Sequence, residues 1–218
     1  MSDHPSLSVS GLPRLGMPAP VFEADSTHGR IALGDFSGSW LVLFSHPADF
    51  TPVCTTEFLA FARAQEEFEK RGAVLLGLSI DSIYAHLAWL QRLEEKFGVR
   101  VNFPVIADHN RAVATAYGMV MPGESKTEAS RCLFVIDPNG VVRAMIYYPM
   151  SAGRSIPEVL RLLDSLQLTT SQGLATPANW QPGDKAIEPA PRTIEEARVR
   201  AADPTADDWF YRLRQPKG

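Results

Sequence analysis

Two continuous apolar runs constrain the fold of this chain more than any other feature. Residues 39–46 (SWLVLFSH) lie between Gly38 and Pro47, and residues 73–80 (AVLLGLSI) form a second run of the same kind. An unbroken apolar run of this length, without alternation, is typical of a strand buried on both faces. Such strands occur in sheets that are covered by helices, so the pattern predicts an α/β domain.

Helix signals follow each of these runs. Thr51 is a favourable N-cap residue and Pro52 suits the first helical position, which predicts a helix that ends near Gly72. Ser82 predicts the start of a second helix. We expect four apolar side chains to form the buried face of that helix: Ile83, Leu87, Leu90 and Phe97.

The second half of the chain predicts an antiparallel edge for the sheet. Residues 131–137 read as a strand, Asp-Pro-Asn-Gly at 137–140 is a strong turn signal, and residues 141–148 return as the hairpin partner. A helix is predicted from Ser155 to about residue 168. Alternating strands and helices with this closing hairpin indicate a mixed central sheet.

The composition changes after residue 168. We divide the chain into an irregular lead-in over 1–12, a main domain over 13–168 and a C-terminal extension over 169–218. The extension is rich in Pro and Gly and has too few apolar residues to bury a core of its own. Its aromatic residues Trp180, Trp209 and Phe210 therefore need another surface, either that of the main domain or that of a partner subunit. We expect a dimerisation arm that packs on a second subunit.

The charge balance narrows the classes of partner. The chain has 21 Lys and Arg against 25 Asp and Glu, a formal net charge of −4, and no basic block. Nucleic acids and anionic membranes attract basic surfaces, so we expect neither as a partner. The first residues, MSDHPSLSVSGLP, lack the basic and apolar segments of a secretory signal, which favours the cytoplasm.

Cysteine and histidine usage limits the kinds of site. The only two cysteines, Cys54 and Cys132, exclude a disulfide scaffold and favour a reducing compartment. The histidines at positions 4, 28, 46, 86 and 109 show no metal-ligand spacing along the chain. We therefore expect neither a metal nor another cofactor.

Cys54 occupies a special position if Thr51 is the N-cap, because it is then the third residue of the helix. Unpaired backbone N–H groups and the positive end of the helix dipole face a side chain there. Both favour the thiolate, which is the nucleophilic form of cysteine. A lone cysteine is also a common small core residue. Residue types alone leave these two interpretations open.

A resemblance favours the reactive interpretation. The run SHPADFTPVCTTEF over 45–58 resembles the active-site signature of peroxiredoxins, specifically the one-cysteine subfamily, whose Pro-x-x-x-Thr-x-x-Cys pattern is met by Pro47, Thr51 and Cys54. Residues 130–154 resemble later strands of that family, and ATPANWQPGD over 175–184 resembles its C-terminal extension. The resemblance implies a thioredoxin-like α/β fold, with a mixed central sheet flanked by helices.

The resemblance also implies a reaction and roles for the residues that match. Cys54 would attack hydrogen peroxide or a small organic hydroperoxide and become a sulfenic acid. Thr51 and Arg131 would position the peroxide, and Pro47 would shield the site. A guanidinium fixed where the leaving oxygen becomes negative stabilises that transition state.

Three further residues would support the site. The resemblance implies that Glu57 and Arg154 hold Arg131 in place, and His46 matches a histidine found beside the site in the one-cysteine subfamily. Taken alone, Glu57 would be an exposed helix residue, and His46 a structural histidine at a strand end. Only the match of all these residues to the family pattern favours a functional role over these structural ones.

The second cysteine is not expected to take part. Successive strand side chains point to opposite faces, so Cys132 points away from Cys54 if Arg131 points toward it. Residues 169–218 contain no cysteine. We therefore predict that an external reductant restores Cys54; glutathione, a thioredoxin-like protein and ascorbate remain open.

Two other functions are weighed against a thiol peroxidase. Cys54 oxidation could serve as a switch in a peroxide-sensing or holdase protein, which would be oxidised stoichiometrically without turnover. A glutathione-linked binding module is a weaker alternative, because it requires a thiol-adduct site.

Overall fold

The computed structural model describes residues 12–204 and 206–217 of the chain. Almost all of the predicted lead-in over 1–12 lies outside the described residues. The chain divides into two compact units, Met1–Arg154 and Ser155–Gly218, and the site residues predicted above all belong to the first. None of the described helices is long and apolar enough to span a membrane.

The first unit contains a mixed sheet of seven strands, in the order β2-β1-β5-β4-β3-β6-β7. The two central pairings, β3 with β4 and β4 with β5, are parallel, and the others are antiparallel. The expected antiparallel edge is therefore confirmed. The strands are β1 (Glu23–Ser26), β2 (Gly29–Ala32), β3 (Trp40–Ser45), β4 (Ala73–Ser79), β5 (Val105–Ala107), β6 (Arg131–Ile136) and β7 (Val142–Tyr148).

The two apolar runs form adjacent parallel strands, β3 and β4. Every residue of β3 is buried, as the absence of alternation predicted. The sequence patterns did not predict the β1–β2 hairpin, whose four-residue strands have little apolar character. A short 3₁₀ helix, Leu33–Phe36, connects that hairpin toward β3.

The described part of the first unit has three α-helices, α1 (Pro52–Lys70), α2 (Ile83–Phe97) and α3 (Ala112–Ala116). Thr51 lies at the N-cap position of α1 with extended backbone angles, as predicted. Gly72 follows the end of α1 with φ +62°, a left-handed conformation that glycine adopts without strain.

The predicted buried face of α2 is wrong. Leu87 is 44% exposed and Phe97 is 51% exposed, whereas the buried residues of α2 are His86, Trp89 and Leu93. These three share one face at helical spacing. The helix is turned so that the large indole of Trp89 packs in the aromatic core, and the less bulky Leu87 faces outward.

An aromatic core holds α1 and α2. Phe44 of β3 stacks on Phe61 of α1, with ring centroids 4.2 Å apart, and Phe58 of α1 lies 4.6 Å from Trp89 of α2. A second core cluster contains Leu41 and Leu43 of β3 with Cys132, Phe134 and Ile136 of β6. The position of α1 on β3 is thus determined by aromatic packing one turn and more beyond Cys54.

The second unit contains two helices and a two-stranded sheet: α4 (Ile156–Gln172), β8 (Ala186–Ile187), α5 (Ile194–Ala201) and β9 (Leu213–Arg214). Trp180 is only 4% exposed in the single chain, so the expectation that a second subunit buries this residue is wrong for Trp180. Trp209 and Phe210 remain 46% and 54% exposed.

Candidate active site

Cys54 is the third residue of α1 and its side chain is fully buried. The first backbone N–H groups of a helix have no partner within the helix, and the helix dipole places partial positive charge there. Nη1 of Arg131 lies 3.4 Å from Sγ of Cys54. Cys54 thus lies between a helix N-terminus and a guanidinium, the kind of setting in which reactive cysteines are found.

Arg131 is the first residue of β6 and is 3% exposed. The antiparallel pairing of β6 with β3 brings this strand beside the one that leads to the α1 start. Its Nη1 also donates to Oε2 of Glu57 at 2.7 Å, and its Nε donates to the carbonyl of Met150 at 2.9 Å. Two acceptors on different segments therefore fix the guanidinium that faces Cys54.

Glu57 lies one turn after Cys54 and is buried between two arginines. Its Oε1 accepts from Nε of Arg154 and its Oε2 from Nη2, both at 2.7 Å, and the backbone N–H of Arg154 donates to Oε1 at 2.8 Å. Burial alone would raise the pKa of Glu57, but the hydrogen bonds and charge of Arg154, with the charge of Arg131, lower it. Glu57 is therefore a buried carboxylate.

Charge counting in this buried group leaves an excess of positive charge beside Cys54. Arg131 and Arg154 bring two positive charges and Glu57 brings one negative charge, which leaves one positive charge without a partner among the three. Buried charges are stable only when they are paired. Sγ of Cys54 lies within reach of Arg131, at the place where a negative charge would complete the balance.

The loop before α1 supplies Pro47 and Thr51. Pro47 is buried, and Thr51 is half-buried. Thr51 occupies the N-cap position without a side-chain cap, because its Oγ1 donates to the carbonyl of Ala48 at 2.9 Å. Phe50, between them, is exposed and has φ +57°, a strained conformation for a residue with a side chain.

His46 is also buried, and two residues that the sequence analysis did not select surround it. Nε2 of His46 lies 2.8 Å from Oδ1 of Asp49, and Oδ2 of Asp49 lies 2.7 Å from Nδ1 of His86. Each of the three side chains offers one atom that could bind a metal, and these atoms lie within 4.8 Å of one another. Spacing along the chain did not reveal this group, because His86 comes from α2.

Comparisons with known proteins decide the family. The model of the AhpC/TSA family matches residues 15–145, and that of the C-terminal domain of 1-Cys peroxiredoxin matches residues 165–201. A peroxiredoxin of Aquifex aeolicus is 52% identical over 94% of this chain and 97% of its own length. This chain belongs to the peroxiredoxin family. It is of the one-cysteine type and is a thiol-dependent peroxidase, an oxidoreductase.

Solved structures agree with this peroxiredoxin assignment. The structure of peroxiredoxin 6 of Arenicola marina has a TM-score of 0.83 and 39% identity, and covers 94% of this chain and 99% of its own. A yeast mitochondrial 1-Cys peroxiredoxin, described with its thiol resolving mechanism via glutathione and thioredoxin systems, has a TM-score of 0.82 and 41% identity, covering 94% and 100%. The thioredoxin-like fold is confirmed, and the sensor or holdase alternative is not favoured.

The second cysteine of this peroxiredoxin lies on the opposite side of the sheet, as strand alternation predicted. Cys132 packs with Phe134 and Ile136, and its Sγ lies 3.9 Å from the carbonyl of Met119. Burial raises the pKa of Cys132 to about 11, so its thiol is protonated near neutral pH. A buried thiol in this state is a poor partner for a sulfenic acid at Cys54.

Proposed function

We propose that Cys54 is the peroxidatic residue of this enzyme, and that Arg131, Thr51 and Pro47 form the site around it, with Glu57, Arg154 and His46 as its support. One observation carries the assignment: the same Nη1 of Arg131 contacts Sγ of Cys54 and Oε2 of Glu57. A fixed cation next to a cysteine at a helix N-terminus supplies both the thiolate and a place for developing negative charge.

The proposed step oxidises sulfur and reduces the peroxide. The Cys54 thiolate attacks the terminal oxygen of the hydroperoxide, the S–O bond forms, and the O–O bond breaks. The terminal oxygen keeps its proton and becomes the sulfenic acid hydroxyl. The other oxygen leaves as hydroxide or alkoxide and takes a proton from solvent. Arg131 stabilises the leaving oxygen, because its Nη1 already faces the sulfur.

Access to the sulfur is part of the proposal, because the Cys54 side chain is fully buried in the single chain. A peroxide reaches it only when a neighbouring segment moves. A sulfur buried in this way favours hydrogen peroxide and small organic hydroperoxides as substrates.

Recycling requires a thiol from outside the chain. The pKa of Cys132 argues against this residue as the resolving thiol, and the described part of the second unit holds no cysteine. The glutathione and thioredoxin systems named for the yeast relative support either glutathione or a thioredoxin-like protein as reductant. Such thiols are plentiful in a reducing compartment, which supports the cytoplasm as the place of action.

A homodimer completes the proposal. Apolar side chains on and near α5 stay exposed in the single chain: Ile194 (74%), Val199 (66%), Trp209 (46%) and Phe210 (54%). An exposed group of this size favours an interface, and identical chains associate most often as twofold dimers. We therefore assign residues 169–218 as the dimerisation arm.

Mass spectrometry of the intact protein tests the chemistry directly. After one equivalent of hydrogen peroxide, we expect one added oxygen, located on Cys54 by trapping with a sulfenic acid reagent. Glutathione, a thioredoxin and ascorbate are then added separately, and the reductant that restores the original mass in repeated cycles is identified. Oxidation located on Cys132 instead would contradict the assignment.

A further inference from the structure

A buried chain of hydrogen bonds joins α2 to the strand end that precedes the active-site loop. Asp49 lies at its centre, between Nε2 of His46 at 2.8 Å and Nδ1 of His86 at 2.7 Å. The side chains of both histidines have no exposed surface, and that of Asp49 has 1%. The reaction proposed above uses neither Asp49 nor His86.

Donor and acceptor rules locate the protons on His86. Its Nε2 lies 3.1 Å from the carbonyl oxygen of Ile106, which can only accept, so Nε2 carries a proton. Burial would raise the pKa of Asp49, but the hydrogen bonds of both histidines lower it, so Asp49 is a carboxylate and also only accepts. Nδ1 of His86 therefore faces an acceptor as well, and both ring nitrogens of His86 are placed to donate.

The same rules determine the tautomer of His46. Its Nε2 donates to the Asp49 carboxylate, and burial, the largest cause, lowers the pKa of His46, so the ring is neutral. Its single proton is on Nε2, and Nδ1 carries a lone pair. Nδ1 of His46 is buried and has no hydrogen-bond partner among the described residues. His46, Asp49 and His86 together therefore keep Nδ1 of His46 as a buried hydrogen-bond acceptor beside the active-site loop.

Asp49 also anchors that loop through its backbone. Its N–H donates to Oδ2 of Asp81 at 3.0 Å, and the Ser79 hydroxyl donates to the same oxygen at 2.6 Å. The charge of Asp81 also raises the pKa of His46, but by less than burial lowers it. The strained residue Phe50 follows Asp49 directly. The surrounding contacts therefore hold the loop in a conformation that its own backbone disfavours.

We propose that His86 and Asp49 are positioning residues for the peroxidase reaction: they hold His46 with Nδ1 unprotonated and fix the loop from Pro47 to Thr51. They act through His46 and the loop, without contact to the reacting atoms. This inference rests on the assignment of Cys54 as the reacting group and extends the site to α2.

The protonation states can be measured in the wild-type protein. Long-range proton–nitrogen correlation spectra of protein labelled with ¹⁵N-histidine distinguish protonated from unprotonated ring nitrogens. We expect His46 to carry a proton on Nε2 only and His86 to carry protons on both nitrogens at neutral pH. A proton on Nδ1 of His46, or a singly protonated His86, would overturn the proposal. A stoichiometric metal ion bound by these rings would overturn it as well.

Two substitutions of His86 separate its role from simple packing. His86→Leu removes the donor to Asp49, so the buried carboxylate takes up a proton, donates to Nε2 of His46 and moves the ring proton to Nδ1. We expect Cys54 oxidation to slow by about tenfold to a hundredfold. His86→Asn places an N–H donor near the position of Nδ1. It should preserve the His46 tautomer and recover most of the rate.

The control is His109→Asn, because His109 is exposed and outside this group. Each variant is measured by thermal unfolding, by the second-order rate with hydrogen peroxide between pH 5 and 9, and by the histidine spectra. A folded His86→Leu protein with an unchanged rate and an unchanged His46 tautomer would refute the proposal. If His86→Leu does not fold, the wild-type spectra and His86→Asn still decide. Loss of the Cys54 assignment would appear separately, as turnover that survives Cys54→Ser.

Discussion

Glu57 and Arg154 form a bidentate ion pair, with Oε1 to Nε and Oε2 to Nη2 both at 2.7 Å. The two residues are 97 positions apart in the chain, and their side chains are almost fully buried. The pair connects the second turn of α1 to the last residue of the first unit, and the same carboxylate holds Arg131. The active site and the stability of this unit therefore depend on one carboxylate.

Glu57→Gln should destabilise the protein strongly. The substitution removes the negative charge that pairs two buried guanidinium groups, and breaking such a pair costs about 3–5 kcal/mol. Urea unfolding measures the loss. Glu67→Gln on the same helix is the control, since Glu67 pairs with Lys70 at the surface and should change the midpoint little. Equal effects of the two substitutions would contradict the role assigned to Glu57.

Stability should fall on the acid side because the pKa of Glu57 is lowered in the folded chain. The model-compound value is 4.5, so the unfolded chain binds a proton more readily than the folded chain below that pH. The stabilisation is complete above about pH 4.5 and is lost as the pH falls through the folded pKa of Glu57. Urea midpoints between pH 3 and 7 test this. The pH dependence should be weaker in Glu57→Gln, and an equal slope would contradict the prediction.

The two cysteines should differ completely in function. Cys54→Ser should abolish peroxide consumption, because serine is not a comparable nucleophile at neutral pH. Cys132→Ser should retain most of the rate, because the pKa of Cys132 is about 11 and its thiol packs in the opposite core. Consumption of hydrogen peroxide is followed in the presence of a thiol reductant. Full turnover in Cys54→Ser would end the proposed mechanism.

Arg131→Ala should slow sulfenic acid formation more than it affects folding. Removing one preorganised donor from a developing negative charge costs about 10²–10³-fold in rate. Rapid mixing with hydrogen peroxide measures the second-order rate constant. The control is Arg143→Ala on the neighbouring strand β7, where Arg143 pairs with Asp137 at a partly exposed position. An Arg131→Ala enzyme as fast as Arg143→Ala would remove Arg131 from the mechanism.

The proposed dimer should depend on the exposed aromatic residues of the second unit. Trp209→Ser combined with Phe210→Ser should raise the dimer dissociation constant, because serine lacks the apolar surface that an interface buries. Light scattering over a concentration series measures the oligomeric state. Tyr84→Ser is the control, as Tyr84 is 79% exposed on α2 in the first unit. An unchanged dimer in the double variant would assign the interface elsewhere.

The sequence by itself determined the elements that depend on local preferences. Buried strands are visible as continuous apolar runs, and the start of α1 is visible in Thr51 and Pro52, because dihedral preferences and burial act on neighbouring residues. The placement of Cys54 in the first helical turn follows from those signals alone. The family resemblance supplied the candidates that local patterns could not, such as Arg154.

Only the tertiary structure decided which side chains meet. The buried face of α2, and with it the position of His86, depends on how Trp89 packs against Phe58. The spacing of apolar residues in α2 is compatible with more than one buried face. The contact between Asp49 and Nδ1 of His86 likewise joins two segments that are far apart in the chain. Local preferences specify backbone conformation, whereas partners across the fold are specified by packing between segments far apart in the chain.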